Sequence, residues 1–205
     1  MKIHDVTMAI RDGMPVHEGD PAVSLKRVAR LEDGSPCNLS VYTMGSHTGT
    51  HVDPPYHFLE DGQRVDALSL DAMIGPAVVV ETGGREIDAG FIEGLGIAGA
   101  SRLIFKTRGE LYAGGETAPG LMTADAAKAL VSRGVRLVGV DGPSVEREGD
   151  GGYSVHKALL SGGVVLVEGL DLSGVGPGDY EVICLPLKVK DGDGAPARVV
   201  LREIS

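Results

Sequence analysis

Apolar residues in this chain fall into short β-branched runs that end at glycines, and each run reads as a strand. The pattern predicts strands over Lys2–Val6, Ser24–Leu31, Asn38–Met44, Ala77–Glu81, Arg102–Lys106, Arg136–Val140, Val164–Glu168, Tyr180–Lys190 and Arg198–Ile204. Helical patterning is rarer. It covers Asp88–Leu95, Thr123–Arg133 with Gly134 as its stop, and Val155–Ser161, where Ser154 is the expected N-cap and Gly162-Gly163 the end. The order is strand-rich at both ends and alternating in the middle. That order predicts an α/β fold: a single domain over residues 1–205 with a mixed sheet.

Composition narrows the picture. The 205 residues suit one core rather than two, and no linker, repeat or low-complexity tract divides them. Glycine, at 31 residues, is about twice its usual share, so many tight turns are expected. A formal net charge of -10 argues against a nucleic-acid partner, because phosphate binding needs a basic patch. No apolar run approaches the roughly 18 residues of a membrane span, so no membrane partner and a cytoplasmic location are expected. Cys37 and Cys184 suggest neither a disulfide framework nor a CxxC metal site.

The chemistry concentrates in His47-Thr-Gly-Thr-His51-Val-Asp53-Pro-Pro-Tyr-His57-Phe, which holds half of the six histidines and an aspartate. His47, His51 and Asp53 offer the imidazole and carboxylate donors that suit zinc and manganese, and His57 follows as a candidate base. A fully extended strand would hold His47 and His51 roughly 13 Å apart, so the backbone is expected to curl at Gly45 and Gly49. Pro54-Pro55 should end any regular element just after Asp53. Two later residues extend the set: His156, at the start of the third helix, and Glu168, at the end of an apolar strand where a carboxylate needs a partner. Three histidines and two carboxylates exceed the usual three protein ligands of one catalytic zinc and fit a two-metal centre with Asp53 or Glu168 bridging. Such a centre activates water and polarises a carbonyl, the two needs of amide, imide or ester hydrolysis, and His57 is placed to move the proton.

Other readings of these residues stand beside it. His51, Asp53 and His156 imitate the two-histidine, one-carboxylate triad of a non-haem iron oxygenase. A metal that only staples a binding protein is a third reading, although structural sites usually use cysteine. Arg64, Arg85 and Arg108 are weak candidates for a substrate carboxylate. Asp141-Gly-Pro-Ser144, at the end of a strand, is a candidate pocket loop.

A further set of segments spans the chain nearly end to end: Asp5-Val-Thr, Met14-Pro-Val-His-Glu-Gly-Asp20, the His47 to Phe58 loop, Leu70-Asp-Ala-Met-Ile-Gly-Pro76, Val138-Gly-Val-Asp-Gly-Pro-Ser144, His156-Lys-Ala-Leu-Leu160, Val167-Glu-Gly-Leu170, and Leu185-Pro-Leu-Lys through Ala195-Pro-Ala-Arg198. They resemble the metal-dependent cyclase-like hydrolases, a family that includes bacterial kynurenine formamidases and, more distantly, isatin hydrolases. The resemblance implies a swivelling β/β/α architecture, a homodimer or higher homo-oligomer, and hydrolysis of a small-molecule substrate such as N-formylkynurenine or another amide, imide or lactone. It implies two divalent metals, zinc or manganese, with His47, His51 and Asp53 on one, Asp53, His156 and Glu168 on the other, and His57 as the acid/base. Formamidases of this group carry a Pro-Val-Trp-Pro-Gly-Asp stretch whose tryptophan stacks on the substrate. Here the stretch is Pro15-Val-His17-Glu-Gly-Asp20 and the chain has no tryptophan, so His17 is the expected substrate-binding residue in its place. Tyr56 and Phe58 are the nearest other aromatics.

Overall fold

The computed structural model describes residues 1–97, 99–107, 121–146 and 152–204. Among these residues there are ten strands: β1 (Ile3–Asp5), β2 (Ser24–Ala29), β3 (Leu39–Thr43), β4 (His51–Asp53), β5 (Ile74–Glu81), β6 (Arg102–Lys106), β7 (Leu137–Val140), β8 (Val165–Glu168), β9 (Gly178–Pro186) and β10 (Ala195–Glu203). The helices are α1 (Leu70–Met73), α2 (Ala89–Gly94), α3 (Ala124–Ser132) and α4 (Ser154–Ser161).

Eight strands form one sheet in the order β1-β10-β4-β8-β7-β6-β5-β9, and β9 pairs back onto β10. That pairing closes a seven-stranded barrel, with β1 added where β4 leaves the edge of β10 free. The run β5-β6-β7-β8 is parallel and every other pairing in the sheet is antiparallel. The mixed α/β expectation therefore holds. The barrel also needs β5 beside β9, a pairing of segments about a hundred residues apart that no local pattern announces.

Alternation along the strands sorts two apolar layers. Val79, Ile104, Leu137, Val165, Val167, Val182, Cys184 and Val199 pack inside the barrel. Their neighbours Val80, Leu103, Phe105, Val138, Val140 and Leu166 point outward against Ile92 of α2, Leu130 of α3 and Leu159 of α4. Both faces of the parallel half are thus buried, whereas β9 and β10 show charged residues such as Arg198 and Arg202 to solvent. β2 and β3 stand apart as a two-stranded ribbon.

Several boundaries differ from the sequence reading. β2 stops at Ala29 because Leu31–Asp33 turns into a short 3-10 helix closed by Gly34. β5 begins three residues early and α1 precedes it, a single turn too short to show a helical period. α2 and α3 are capped as their sequences suggest, by Asp88 accepting from Phe91 N and Thr123 accepting from Ala126 N. α4 is not. Its cap position is Tyr153, in a left-handed conformation at φ 51°, and Ser154 is already inside the helix. No described helix is long and apolar enough to cross a membrane.

Candidate metal centre and pocket

β4 is three residues long, so His51 and Asp53, two apart, share one face while Val52 faces the barrel core. The register pairs His51 with Glu168 and Asp53 with Leu166, which puts Glu168 on that same outer face. The segment expected to curl is therefore strand from His51 onward, and the curl lies before it. Gly49 adopts φ 65°, and His47 folds back so that its Nδ1 lies 2.7 Å from Asp53 Oδ1. Gly194 permits this return, because a Cβ there would come within 2.5 Å of the His47 ring. Pro54 and Pro55 end β4 as expected and start a 3-10 turn over Pro55–His57. That turn stacks the His57 ring on His47, with centroids 3.9 Å apart.

α4 brings in the last donor. His156 Nε2 lies 3.3 Å from Glu168 Oε1 and 3.8 Å from Asp53 Oδ2. His51 Nε2 lies 3.3 Å from Asp53 Oδ1 and 3.6 Å from Glu168 Oε2. All five expected donors converge in two groups that could hold a metal ion: His47, His51 and Asp53, and Asp53, His156 and Glu168, each with its ligand atoms within 4.8 Å of one another. Asp53 belongs to both.

Each imidazole has one nitrogen committed outward. His51 Nδ1 meets Gly49 O at 2.9 Å, His156 Nδ1 meets Glu146 Oε1 at 2.5 Å, and His47 Nε2 meets Asp193 Oδ2 at 3.3 Å. Glu146 and Asp193 were not found by sequence reasoning. No spacing rule ties Glu146 to His156, and Asp193, in Asp-Gly-Asp-Gly, reads as a turn. A third group of donor atoms, from His47, His57 and Asp193, lies at the exposed side of the cluster.

The electrostatics show what the cluster lacks. Asp53 is 1% exposed and its Oδ2 accepts no hydrogen bond from the described residues, an arrangement that costs several kcal/mol unless a cation faces it. Burial opposes charge on His51 and His156, yet the carboxylates around them prevail: Asp53 and Glu168 push His51 up to about 9, and Glu146, Glu168 and Asp53 push His156 up to about 10. Burial also disfavours a charged Asp53, but His51 and His47 hold its carboxyl well below the usual range. A site that holds protons this tightly is a site built for positive charge. Its oxygen and nitrogen donors, with no cysteine among them, match a divalent cation. His57 differs: burial, aided by His47 and His156, lowers it to about 4, so its imidazole is neutral near pH 7.

The donors open onto a cavity of about 460 Å³. His17, Glu18, Asp20, Phe58, Tyr153, Pro143 and Ser144 line it beside the donors. His17 is thus at the pocket, its Nδ1 2.9 Å from Glu18 O. The loop at residues 141–144 also lines it, although Asp141 itself turns away to accept from Thr107 N and Oγ1. Tyr56 does not line the cavity; the Arg64 guanidinium lies 4.0 Å above its ring. Arg85 sits over Phe91, and Arg108 falls outside the described residues. The aromatic that sequence reasoning overlooked is Tyr153, 47% exposed and 4.7 Å from the Phe58 ring.

Comparison with known proteins agrees with this architecture. The family model described as "Putative cyclase" matches residues 4–147. A kynurenine formamidase of Salinibacter ruber is 39% identical over 211 residues, covering 99% of this chain and 98% of its own. The solved structure of a "predicted metal-dependent hydrolase" from Bacillus stearothermophilus superposes with a TM-score of 0.82 at 32% identity, covering 98% of this chain and 97% of that one. An isatin hydrolase bound to thioisatinate shares the fold, with a TM-score of 0.85 at 20% identity over 98% of this chain and 91% of its own. The chain belongs to the cyclase family of metal-dependent hydrolases.

Proposed function

We propose that this protein is a metal-dependent amide hydrolase that cleaves an aryl N-formyl amide of the N-formylkynurenine kind, releasing the arylamine and formate. The observation that carries the reading is the shared carboxylate: Asp53, buried and with one oxygen that accepts no hydrogen bond from the described residues, belongs to both donor groups and lines an open pocket. His47, His51 and Asp53 would hold one divalent ion and Asp53, His156 and Glu168 a second, both zinc in the first instance, with manganese suited to the same donors. Bound ions of this kind lower the pKa of water and polarise a carbonyl oxygen.

The protein's own residues supply the rest. His57, neutral near pH 7, accepts a proton from the attacking water and delivers it to the leaving nitrogen as the C–N bond breaks. Phe58 and Tyr153 offer an aromatic wall for the ring of the substrate, and His17, which lines the same cavity, would contact the substrate where the sequence resemblance expects a stacking tryptophan. The open cavity beside the donors supports this reading over a closed structural staple, and two donor groups sharing Asp53 support it over a single oxygenase triad.

The same reading places the enzyme in the cytoplasm, which its free cysteines Cys37 and Cys184 suit, and makes it a homodimer. Support for the dimer comes from the β2–β3 ribbon, where Leu39, Val41 and Tyr42 are each more than half exposed and a ribbon of two strands is marginal alone. Sedimentation of the purified protein reads this directly. The substrate is tested with a panel of N-formylkynurenine, formanilide, a cyclic imide and a lactone. Formanilide and N-formylkynurenine should be turned over fastest. Preference for the lactone or imide would replace the amide in this proposal.

A further inference from the structure

Glu146 lies against the start of α4, buried at 7% exposure, and among the described residues the hydrogen bonds of its carboxylate go to the start of that helix. Oε2 accepts from Val155 N at 3.1 Å, while Oε1 accepts from His156 N at 3.0 Å and meets His156 Nδ1 at 2.5 Å. One side chain therefore satisfies two of the free amides of the first turn and one nitrogen of the imidazole that leaves it. This explains why Ser154 is not the cap: the acceptor arrives from another segment, and Tyr153 is bent to φ 51° to let the helix start against it.

With Oε1 anchored by the backbone amide of His156, the imidazole cannot turn without giving up its Nδ1 contact to that same oxygen. We propose that Glu146 is a positioning residue: it keeps the His156 proton on Nδ1 and aims Nε2 at Asp53 and Glu168, preparing the second donor group for its ion. The proposal rests on the metal-dependent reading of the centre. Outward partners of this kind orient ligating histidines and raise their basicity. Among the three imidazoles, His156 has the strongest of them. His51 leans on the neutral carbonyl of Gly49, and His47 on Asp193, whose side chain is 54% exposed and 3.3 Å away.

The test is a zinc titration of the chelator-stripped protein by calorimetry, with ring ¹⁵N spectra of His156 in the zinc-loaded state, for the parent, Glu146→Gln and Glu146→Ala. In the parent, two ions should bind per chain and His156 should show the Nδ1-protonated tautomer. Glu146→Ala should keep one tight ion and bind the second about 10- to 100-fold more weakly, with the His156 ring signals lost or shifted. Glu146→Gln, which keeps an acceptor but no charge, should fall between, and it carries the test if the alanine variant does not fold. If both variants bind two ions with parental affinity and unchanged His156 signals while only the melting temperature drops, Glu146 is a helix cap and nothing more. A parent that binds no second ion contradicts the two-ion reading itself, and the proposal falls with it.

Discussion

His51 and Glu168 are cross-strand partners in the β4–β8 pair, with His51 Nε2 3.6 Å from Glu168 Oε2. Their shared face is the reason a strand of three residues can present two donors to a third on its neighbour. It also makes Asp53, two residues along the same face, the middle of the cluster. Replacing Asp53 by asparagine removes the charge and one of the two oxygens of the carboxylate common to both groups. Asp53→Asn should reduce bound zinc from two ions to one or none per chain by elemental analysis, and turnover should fall with it.

His57 lies outside the two Asp53 groups, stacked on His47, and burial, aided by His47 and His156, lowers it to about 4. His57→Asn should lower kcat about 10²- to 10⁴-fold, the range for loss of a general acid/base, while metal content stays at two per chain. Unchanged rates in that variant would remove His57 from the mechanism.

The pH response has a definite sign. His51 and His156 are raised from 6.5 to about 9 and about 10 by the carboxylates they face. In the protein stripped of metal, the stability they contribute is fully present below pH 6.5 and is lost as pH rises through 9 to 10. The melting temperature of stripped protein should therefore decline between pH 7 and 10. Zinc-loaded protein should decline less, since the ion takes the place of the protons. Apparent zinc affinity should rise with pH over the same window because binding displaces those protons.

The pocket predicts a separable effect on substrate binding. Tyr153→Ala removes half of the aromatic wall and should raise KM for N-formylkynurenine several-fold with little change in kcat. His17→Trp restores the larger apolar face and should lower KM for the same substrate. Steady-state kinetics on the two variants read both.

Gly194 gives a steric test of the first donor group. A Cβ at that position meets the His47 ring at 2.5 Å, so Gly194→Ala should displace His47. The ion held by His47, His51 and Asp53 should bind at least about 10-fold more weakly, the scale of losing a ligand's support, while the one held by His156 and Glu168 is retained.

The donors were legible in the sequence because they are of rare types crowded between glycines and prolines, and because His156 and Glu168 sit at the ends of recognisable elements. The strands were legible for the same kind of reason: Leu103 to Phe105 and Val165 to Val167 are apolar on both faces, as strands between a barrel core and helices must be. What could not be read lies in long-range partnership. Glu146 and Tyr153 look like ordinary loop residues until α4 is seen to start against them, and Asp193 looks like a turn until β10 brings it to His47. Nor does Ser154 reveal that another carboxylate has taken its place as the cap, since capping preference is local and the winning acceptor is not.

The most direct test of a two-ion hydrolase is the activity of chelator-stripped protein on N-formyl-L-kynurenine as zinc or manganese is added back. Activity should be absent at the start, rise with added ion and level off at two per chain, with kcat/KM above about 10⁴ M⁻¹s⁻¹, the low end for working enzymes. Full activity in the stripped protein, or none at two bound ions against any amide, imide or lactone, would contradict it.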